Sequence, residues 1–398
     1  MSNTPKIRFE GFTDDWEERK LEDVVDFLDT MRKPLEGLKR VSGPYPYYGA
    51  SGIVDYVDGF LFDEELVLLS EDGANITDRN YPVCFLASGK YWVNNHAHVL
   101  RTKNGNENNF ICNSLERKDY KQYNSGMAMP KLNQEVCRSI PLHCPCYEEQ
   151  KKIGDYFRNL DNLITLHQRK CDETKELKNY MLQKMFPKAG EKVPEIRFAG
   201  FTDDWEQRKL SNMSDFITKG ATPTTYGYDW VDEGIPFFRN DAIKDNYFVF
   251  GDYSFISEEA NEALSRSEIT RDDILVAITG DIGKVGIVPK SIDRANINQH
   301  TARIRIIRDA VPYFIYQSLA REEQQKIYQK IKTGLSMPQL SLEQIRETEI
   351  MCPAIDEQTK IGDFFSNLDN LITLHQRKCD NLKMLKQYML QNMFPQKG

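Results

Sequence analysis

The chain has 398 residues, of which 40% are hydrophobic and 28% charged, and its net charge at pH 7 is −8. This composition is typical of a globular protein of two or three domains and excludes a largely disordered chain. We expect no membrane span and no signal peptide, because no apolar run approaches roughly 18 residues and the N-terminus lacks an apolar core. Eight cysteines without disulfide-type spacing predict reduced thiols and a cytoplasmic location.

Two kinds of segment occur twice in the chain. The opening segment at residues 5–24, PKIRFEGFTDDWEERKLEDV, returns at residues 194–213 with 14 of 20 positions identical. A second segment, at residues 148–187, returns at residues 356–395, and both copies contain the letters LDNLITLHQRKCD. A period near 200 residues is too long for a solenoid, so the repeats predict two domains of one architecture in a pseudo-symmetric molecule.

Short β-type runs alternate with glycine-rich turns after the first opening segment, as in YPYYGASGIVDYVDGFLF and PVCFLASGKYWVNNHAHVLRT. This alternation predicts a twisted, mostly antiparallel sheet with loops at its rim. A helix is expected near residues 108–123, followed by the loop NSGMAMPKLN at residues 124–133. The two histidines of NNHAH are expected to be polar strand residues facing one side, because no third metal ligand is evident.

The segments 148–187 and 356–395 each predict one long helix, because apolar residues recur at three- and four-residue spacing. About 40 residues at 1.5 Å each give a helix of roughly 60 Å, which needs a partner along its apolar stripe. The predicted helix seam consists of Leu160, Ile164, His167, Cys171, Leu368, Ile372, His375 and Cys379.

We expect these two helices to pair antiparallel, so that His167 and His375 approach each other at the pseudo-dyad. A stacked pair of neutral histidines is the favoured interpretation there, and a metal-binding or pH-sensitive pair is the alternative. Leu163 and Leu177 are expected to widen the apolar stripe, whereas Lys178 weakens it. The alternative arrangement is that each helix packs only on its own domain.

The second variable block repeats the plan of the first with other residues, including IPFFRNDAI, DDILVAITGDIGKVGIVPK and ANINQHTARIRII. A helix is expected at residues 312–332, and the loop KTGLSMPQLS follows at residues 332–341. ITGDIGKVG lacks the first glycine and the final Ser or Thr of a phosphate loop, so it predicts a strand–turn–strand. The HCPC segment is not expected to bind zinc, because its second copy reads MCPA. We therefore predict no catalytic site, no cofactor and no metal.

Two late segments carry an excess of positive charge: residues 101–131 have a net charge of +3, and residues 284–308 of +5. Basic groups position phosphates, whereas Asn, Gln and Arg side chains can read base edges. Two such blocks on a rigid spacer would suit two half-sites of duplex DNA, which lie about 34–36 Å apart per helical turn.

Taken together, these motifs resemble the DNA-specificity subunit of type I restriction-modification systems over nearly the whole chain. The resemblance lies in the duplicated IRFxGFTDDWExRKL openings, the duplicated EQxKIGDxFxNLDNLITLHQRK helices, and a recognition pattern that includes GIPFFRNDAI and TGLSMPQLS. It implies a non-catalytic α+β protein with two pseudo-symmetric target-recognition domains, separated by two long antiparallel helices that form a coiled-coil spacer. The expected domains are a first recognition domain at 1–147, a central spacer helix at 148–187, a linker, second opening and second recognition domain at 188–355, and a C-terminal spacer helix at 356–398.

The resemblance also implies partners: double-stranded DNA with a split recognition sequence, two modification subunits that bring S-adenosylmethionine and methyltransferase chemistry, and restriction subunits with ATPase and nuclease activities. Two alternatives stay open, a stand-alone DNA-modifying enzyme and a purely structural adaptor. The residues expected to contact DNA, which lie in the turns and loops of the family pattern, are Tyr48, Ser51, Lys90, Asn95, Ser125, Lys131, Lys219, Thr222, Thr224, Arg239, Asn240, Lys284, Gln299, Lys332 and Ser336.

Overall fold

The strands of the ribbon and of the two four-stranded sheets follow one another in the same order in both repeats. The computed structural model describes residues 4–37, 40–334 and 338–395. The chain forms two units, the first built from residues 1–169 and 376–398 and the second from residues 170–375. No α-helix in the described part of the chain combines the length and hydrophobicity that membrane crossing requires.

The α-helices are α1 Leu21–Val24, α2 Asn75–Asp78, α3 Asn108–Glu116, α4 Gln134–Arg138, α5 Tyr147–Lys184, α6 Glu258–Ala263, α7 Pro312–Ala320, α8 Glu322–Ile331, α9 Leu342–Arg346 and α10 Ile355–Asn392. The strands are β1 Glu17–Lys20, β2 Val25–Phe27, β3 Ser42–Gly49, β4 Gly52–Val57, β5 Phe62–Asp63, β6 Leu66–Ser70, β7 Cys84–Ala87, β8 Lys90–Val93, β9 Ala97–Thr102, β10 Pro141–Cys144, β11 Glu206–Lys209, β12 Ser214–Lys219, β13 Ile235–Phe238, β14 Ile243–Lys244, β15 Tyr247–Phe248, β16 Ser254–Ile256, β17 Glu268–Ile269, β18 Ile274–Ala277, β19 Val285–Ile287, β20 Ala295–Ile297, β21 Thr301–Ile306 and β22 Glu349–Cys352.

The first unit contains two four-stranded sheets. One has the strand order β2-β9-β6-β7 and is antiparallel throughout. The other has the order β4-β3-β8-β5 and includes one parallel pair, β3 with β8. A separate ribbon pairs β1, from the opening segment, with β10, which leads into α5. The ribbon therefore joins the start of the unit to the long helix.

The second unit has the same sheet topology, with the orders β12-β21-β18-β19 and β16-β13-β20-β17 and a parallel pair, β13 with β20. Its ribbon pairs β11 with β22. These matching orders confirm the prediction of two pseudo-symmetric domains with mostly antiparallel sheets. The ITGDIGKVG segment joins β18 to β19 as the predicted strand–turn–strand. The hairpin of β14 and β15 has no counterpart among the described strands of the first unit.

The predicted recognition-domain helices are shorter than expected. In the first unit α3 ends at Glu116, and a separate 3-10 turn covers Lys121–Tyr123. In the second unit the expected helix is divided into α7 and α8 at Arg321, whose backbone leaves the helical conformation.

The tryptophans of the duplicated FTDDW motif anchor each opening segment in a buried aromatic cluster. The ring of Trp16 lies 5.6 Å from that of Phe110 and 6.0 Å from that of Phe394, both edge-on. Trp205 packs in the same way, with its ring 5.7 Å from that of Phe314. Buried aromatic residues contribute large areas of apolar contact, so these clusters hold the opening segment, the recognition domain and the helix ends together.

The arginines of the duplicated IRF motif bind buried glutamates at the beginning of each long helix. Arg8 binds Glu149 through two nitrogens at 2.7 and 2.8 Å and also donates to the carbonyl oxygen of Asp14. Arg197 binds Glu357 at the same two distances. Such two-point contacts are geometrically demanding, which explains why the opening segment and the helix start are retained together in both copies.

Within the first unit, α5 and the second half of α10 run antiparallel. Nζ of Lys386 lies 2.6 Å from Oδ1 of Asp161, and Sγ of Cys379 lies 4.0 Å from the carbonyl oxygen of Ile164. Residue numbers therefore rise along one helix as they fall along the other. The second unit repeats the arrangement.

In the second unit, Nζ of Lys178 lies 2.7 Å from Oδ1 of Asp369. Sγ of Cys171 lies 3.8 Å from the carbonyl oxygen of Ile372. The prediction of antiparallel pairing is thus confirmed within each unit.

The long helices also pack on their own recognition domains, so the two arrangements considered from the sequence coexist. Leu160 and Leu368 lie in the domain cores. Of the predicted seam, these two residues and Cys171, Ile372 and Cys379 are buried, whereas Ile164, His167 and His375 are half-buried. His167 and His375 belong to different units, and their approach to each other stays a prediction.

Two expectations about the apolar stripe were wrong. Leu163 and Leu177 are 42% and 46% exposed, so they do not widen the buried stripe. Lys178, expected to weaken it, is 6% exposed and forms an ion pair inside the second unit. Hydrophobic spacing alone does not anticipate a buried lysine that is neutralised by a carboxylate from another helix.

Candidate nucleic-acid interface

Loops that lie far apart in the sequence meet in the second unit. The amide of Ala221 donates to Ile297 at 3.2 Å, that of Ile278 to His300 at 2.9 Å, and that of Leu340 to Ile278 at 2.9 Å. Because loops held on a sheet scaffold can change residues without changing the fold, they are suited to recognition. We call this set the second rim; it comprises residues 219–224, 239–240, 278–284, 298–300 and the described part of 332–340.

A line of polar side chains crosses the second rim. The hydroxyl of Thr222 donates to the side-chain oxygen of Gln299. The amide nitrogen of Gln299 lies 3.3 Å from Nε2 of His300, whose Nδ1 shares a 2.7 Å hydrogen bond with the hydroxyl of Thr279. These hydrogen bonds hold Gln299 in place, and its amide carries both a donor and an acceptor of the kind that reads base edges.

Arg239 extends the same rim. Its guanidinium lies 5.8 Å from the ring of Trp230, and one nitrogen donates to the hydroxyl of Ser254 at 3.3 Å. Its neighbour Asn240 packs beside Gly280, which has a φ of +74°; a Cβ at Gly280 would lie 3.2 Å from the Asn240 amide nitrogen. A side chain at Gly280 would be strained by this φ and crowd Asn240.

The sequence-predicted contacts of the second unit that the structure describes therefore lie in loops that come together. Lys219, Thr224, Arg239, Gln299 and Lys332 are exposed. Three others, Thr222, Asn240 and Lys284, are half-buried, and Ser336 lies outside the described residues.

Loops also meet in the first unit. The amide of Glu71 donates to His96 at 2.9 Å, that of Leu132 to Glu71 at 2.7 Å, and that of Gly73 to Pro130 at 3.0 Å. The loops are joined by equivalent backbone hydrogen bonds in the two units, but their residues differ. We call this set the first rim; it comprises residues 28–32, 48–51, 70–73, 94–98 and 125–132.

A buried histidine connects the loops of the first rim. The side chain of His98 is 1% exposed; its Nδ1 lies 2.6 Å from Oδ2 of Asp29, and its Nε2 lies 2.8 Å from the carbonyl oxygen of Leu132. Arg32 lies beside Asp29 at 3.4 Å and donates to Glu71 at 2.6 Å. A carbonyl oxygen and an ionised carboxylate only accept hydrogen bonds, so both ring nitrogens of His98 carry protons and the imidazole is cationic.

The pKa values of this cluster agree with that assignment. Burial would lower the pKa of His98, but hydrogen bonds with Asp29 and Cys137 raise it to about 10. Burial would raise the pKa of Asp29, but the hydrogen bond and charge of His98, the amide of Val99 and the charge of Arg32 together lower it. The ion pair between His98 and Asp29 therefore stays charged at neutral pH.

The NNHAH segment differs from its prediction. His96 precedes β9 and is exposed, with Nδ1 2.9 Å from Asp72, whereas His98 is inside β9 and buried. The expectation that both face one side of a strand was wrong, because only His98 is in the strand. The sequence draws attention to the two histidines, but the role of His98 depends on Asp29, which is 69 positions away in the sequence.

Asp29, Glu71 and His98 also form a possible metal-binding set, because one ligand atom from each lies within 4.8 Å of the others. Cations already neutralise the carboxylates: Lys131 lies 3.3 Å from Glu71, and Arg32 contacts both acids. A metal ligand must be deprotonated, whereas both nitrogens of His98 donate hydrogen bonds. These residues fit an ion-pair network rather than a metal ion.

The predicted contacts Tyr48, Ser51, Asn95, Ser125 and Lys131 lie on the first rim, whereas Lys90 begins β8 at the end of the strand away from the rim, with Nζ 4.8 Å from the centre of the Phe60 ring. Ser51, Lys90, Asn95, Ser125 and Lys131 are exposed. Tyr48 is half-buried, with its ring 5.8 Å from that of Phe85 and 5.5 Å from that of Tyr91. The ring of Tyr48 thus helps to pack the second sheet of the unit.

The basic segment at residues 284–308 does not form the basic face that its charge suggests. Arg303 is 3% exposed, and burial lowers its pKa to about 10. Arg294 binds Glu268 at 3.0 Å, and Arg305 binds Asp273 at 2.6 Å. Counting charges along the sequence misses carboxylates that the fold brings from other elements.

Cations of the basic segment at residues 101–131 are also engaged in contacts within the fold. Arg101 binds Glu64 at 2.5 Å. Lys118 is 8% exposed and donates to the carbonyl oxygen of Pro141. Exposed cations of the second rim outside these stretches, such as Lys219 and Lys332, are therefore better candidates for phosphate contacts than the most basic stretches of sequence.

Each unit also exposes apolar side chains on its long helices, among them Leu163 and Leu177, which were expected from the sequence to widen the buried stripe. Equivalent positions carry the same residue type in both copies, and all are 40–56% exposed. Apolar side chains that remain exposed together can mark a protein interaction surface. We call these the outer stripe; it consists of Leu163, Leu385 and Tyr388 in the first unit and Leu371, Leu177 and Tyr180 in the second.

Comparison with known proteins identifies relatives of one kind. The family profile described as type I restriction modification DNA specificity domain matches residues 13–176 and again residues 202–384. The MjaVIII type I restriction enzyme specificity subunit of Methanocaldococcus jannaschii is 22% identical over 95% of this chain and 91% of its own. A putative type I specificity subunit of Haemophilus influenzae, S.HindORF215P, is 35% identical over 36% of each chain. This chain therefore spans about a third of the H. influenzae relative in that alignment.

A solved structure shares the fold. The type I restriction-modification S subunit from M. genitalium superposes with a TM-score of 0.75 over 99% of this chain and 100% of its own, at 14% sequence identity. This similarity extends through both repeats, in agreement with the α+β architecture described above.

Proposed function

The chain belongs to the family of type I restriction-modification DNA specificity domains, and we propose that it reads a split DNA target, one half with each rim. It would act as the sequence-reading, non-catalytic subunit of a larger complex. One observation carries this proposal: two domains of identical sheet topology present loop sets that converge in the same way but carry different side chains. A constant scaffold with different loops is suited to recognising two different half-sites.

Different residues of each rim would contact the DNA phosphates and the base edges. Exposed lysines such as Lys219, Lys332 and Lys131 would hold phosphates and set the position of the duplex. Gln299 and Asn95 are exposed amides at the rims, and amide side chains pair well with adenine in the major groove. The polar line from Thr222 to Thr279 supports this role for Gln299, because it restrains the amide before DNA arrives.

The outer stripe would bind the modification subunits. Its residues are exposed yet identical in both copies, whereas the rims differ between the copies. A duplicated surface on a pseudo-symmetric protein suits two copies of the same partner. Two modification subunits, which supply S-adenosylmethionine and methyl transfer, would therefore bind equivalent sites, and restriction subunits would join the assembled complex.

We assign the function to the cytoplasm, in keeping with eight free cysteines, seven of them buried. Two alternatives make different predictions. A stand-alone enzyme would methylate or cut DNA without other subunits, whereas a structural adaptor would add no sequence selectivity to the modification subunit.

Methylation mapping tests the proposal directly. Modification-sensitive sequencing of the host genome should find a bipartite motif that disappears when this chain is deleted and returns with the wild-type chain. A methylation pattern unaffected by the deletion would refute the proposal. Methylation or cleavage by the purified chain alone would favour the stand-alone enzyme.

Paired substitutions test how the second rim divides its work. Lys219→Ala should weaken binding of all sequences and reduce the salt slope by about one counterion. Gln299→Leu should instead relax selectivity at one base pair of one half-site, by about 1–3 kcal/mol. Lys326→Ala is a matched control, because this exposed lysine lies on α8 and pairs with Glu322. Uniform loss of affinity with Gln299→Leu would contradict its role in base reading.

A further inference from the structure

The second unit contains a hairpin that closes a space beside its long helices. Strands β14 and β15 are joined by Asp245 and Asn246, both with positive φ, as a tight two-residue hairpin turn requires. The hydroxyl of Tyr316 donates to the carbonyl oxygen of Asn246, and the Asn246 amide donates to Ala320 at 3.4 Å. The hairpin is therefore fastened to α7.

The tip of this hairpin seals an ion pair. The hydroxyl of Tyr247 lies 3.0 Å from Oδ1 of Asp369, and Nζ of Lys178 lies 4.7 Å from the centre of the Tyr247 ring. Tyr313 donates to the other oxygen of Asp369 at 2.7 Å. With the hairpin in place, the side chains of Lys178 and Asp369 are each only 8% exposed.

The first unit has the same ion pair without the hairpin. Strand β3 turns directly into β4 at Ala50 and Ser51, whereas residues 239–253, which include the hairpin, join the equivalent strands β13 and β16. The equivalent pair, Lys386 with Asp161 at 2.6 Å, is 26% and 45% exposed. It lies in a groove of about 1250 Å³ between β7, α3 and the helix pair.

The groove has the charge of a site for an acidic ligand. Five cationic side chains line it with two carboxylates, Glu116 and Asp161. Arg158 already binds Glu65 at 2.8 Å, and Lys386 binds Asp161, so the positive charge open to a ligand comes mainly from Lys383 and the half-buried Arg117. One of the cations, Arg79, pairs with Glu116 at 2.9 Å, and Lys383 is exposed. Its walls also include apolar atoms of Phe85 and Leu390. Mixed apolar and cationic walls are better suited to a peptide segment than to the continuous phosphate backbone of a duplex.

We propose that this groove binds an acidic, tyrosine-bearing peptide segment of a partner protein, which covers Asp161 and Lys386 as the β14–β15 hairpin covers Asp369 and Lys178. The bound tyrosine hydroxyl donates to Asp161, and acidic residues of the segment lie near Lys383. The inference stands on the comparison of the two units and does not depend on the proposed reading of DNA.

A synthetic peptide tests the groove with the full-length chain. The probe has the sequence of residues 241–249 with Lys244→Glu, which makes it acidic, and it carries a fluorophore for anisotropy measurements. Saturable binding is expected below about 1 mM. Lys383→Glu should weaken binding about fivefold, because each exposed ion pair contributes up to about 1 kcal/mol. The control is Lys175→Glu, at the equivalent exposed position of the second unit, and it should leave binding unchanged.

A double-mutant cycle tests the predicted hydrogen bond. Replacing the probe's tyrosine by phenylalanine should weaken binding to the wild-type chain about tenfold, because a hydrogen bond to a charged acceptor is lost. The same replacement should have little effect on binding to the Asp161→Asn chain, since the charged acceptor has already been removed.

Three outcomes would overturn the proposal. The first is no saturable binding of the probe at about 1 mM. The second is equal weakening by Lys383→Glu and Lys175→Glu, which would place the probe elsewhere. The third is displacement of bound probe by duplex DNA of unrelated sequence, which would make the groove a nucleic-acid surface. Circular dichroism of each variant distinguishes loss of binding from loss of fold.

Discussion

Replacing His98 by leucine should destabilise the first unit by several kcal/mol, and the effect should depend on pH. Leucine preserves most of the buried volume but removes both hydrogen bonds of the imidazole, to Asp29 and to Leu132. The carboxylate of Asp29 would stay buried with only the more distant guanidinium of Arg32, at 3.4 Å, to offset its charge.

Two estimates of the magnitude agree. Removing one partner of a buried ion pair costs about 3–5 kcal/mol, because the other charge is left uncompensated. The pKa of His98 rises from 6.5 to about 10. At about 1.4 kcal/mol per pH unit, the interval from pH 7 to the folded-state pKa of about 10 corresponds to about 4 kcal/mol of stability at pH 7. A loss of this size lowers the unfolding temperature by about 10 °C in a domain of 150–250 residues.

The sign of the pH dependence follows from the direction of the shift. Because the pKa of His98 is higher in the folded state, its contribution is complete below pH 6.5 and is lost as the pH rises through about 10. The difference in stability between wild type and His98→Leu should therefore shrink between pH 7 and pH 10.

Scanning calorimetry of the full chain at several pH values measures this difference. Hydrogen exchange should show faster opening of the first-rim segments around Glu71 and Leu132, which His98 holds together. His96→Leu is the matched control, since His96 is an exposed neighbour that pairs with Asp72 on the surface, and it should change stability little. A destabilisation by His98→Leu that is constant from pH 7 to pH 10 would refute the assignment of a charged imidazole.

Two further predictions concern the long helices. Asp369→Asn should destabilise the second unit by about 3–5 kcal/mol, because Lys178 is left buried without a counter-charge. The equivalent Asp161→Asn should cost at most about 1 kcal/mol, because its ion pair is partly exposed. Chemical denaturation measures both losses, and equal losses would contradict the role of burial. If the paired helices set the distance between the two rims, a matched insertion of about four residues, roughly one helical turn, after Thr174 and after Leu382 should lengthen the gap between the half-sites. An unchanged methylation motif would contradict this role of the helices.

Much of the architecture follows from periodicity and repetition. Spacing of apolar residues predicted both long helices, and the repeats predicted two domains of one plan, because both signals depend on local sequence. Glycine-rich turns and matched loops such as NSGMAMPKLN placed most of the described candidate contacts in loops that do come together. Local patterns suffice there because a loop between strands must lie at an end of a sheet.

The electrostatics could not be predicted in this way. The charge of residues 284–308 suggested a basic face, but Glu268 and Asp273, which neutralise Arg294 and Arg305, lie outside that segment. His98 is likewise kept protonated with the help of Asp29, which lies 69 positions earlier in the sequence. Such pairs depend on tertiary packing, which a window of neighbouring residues does not contain.

The division into units explains why the two long helices match in length. Each unit is built on the beginning of one long helix and the end of the other. In the first unit, the ring of Phe394, just after α10, packs 6.1 Å from that of Phe157 near the beginning of α5, and Phe186 and Phe365 repeat this contact in the second. Lengthening one helix alone would pull one of these clusters out of register, so changes in length must occur in pairs. Both helices contain 38 residues, and LDNLITLHQRKCD lies in each where it passes from one unit to the other. The two copies of this segment are therefore expected to be identical, because each helix makes the same seam contacts and exposes the same outer stripe.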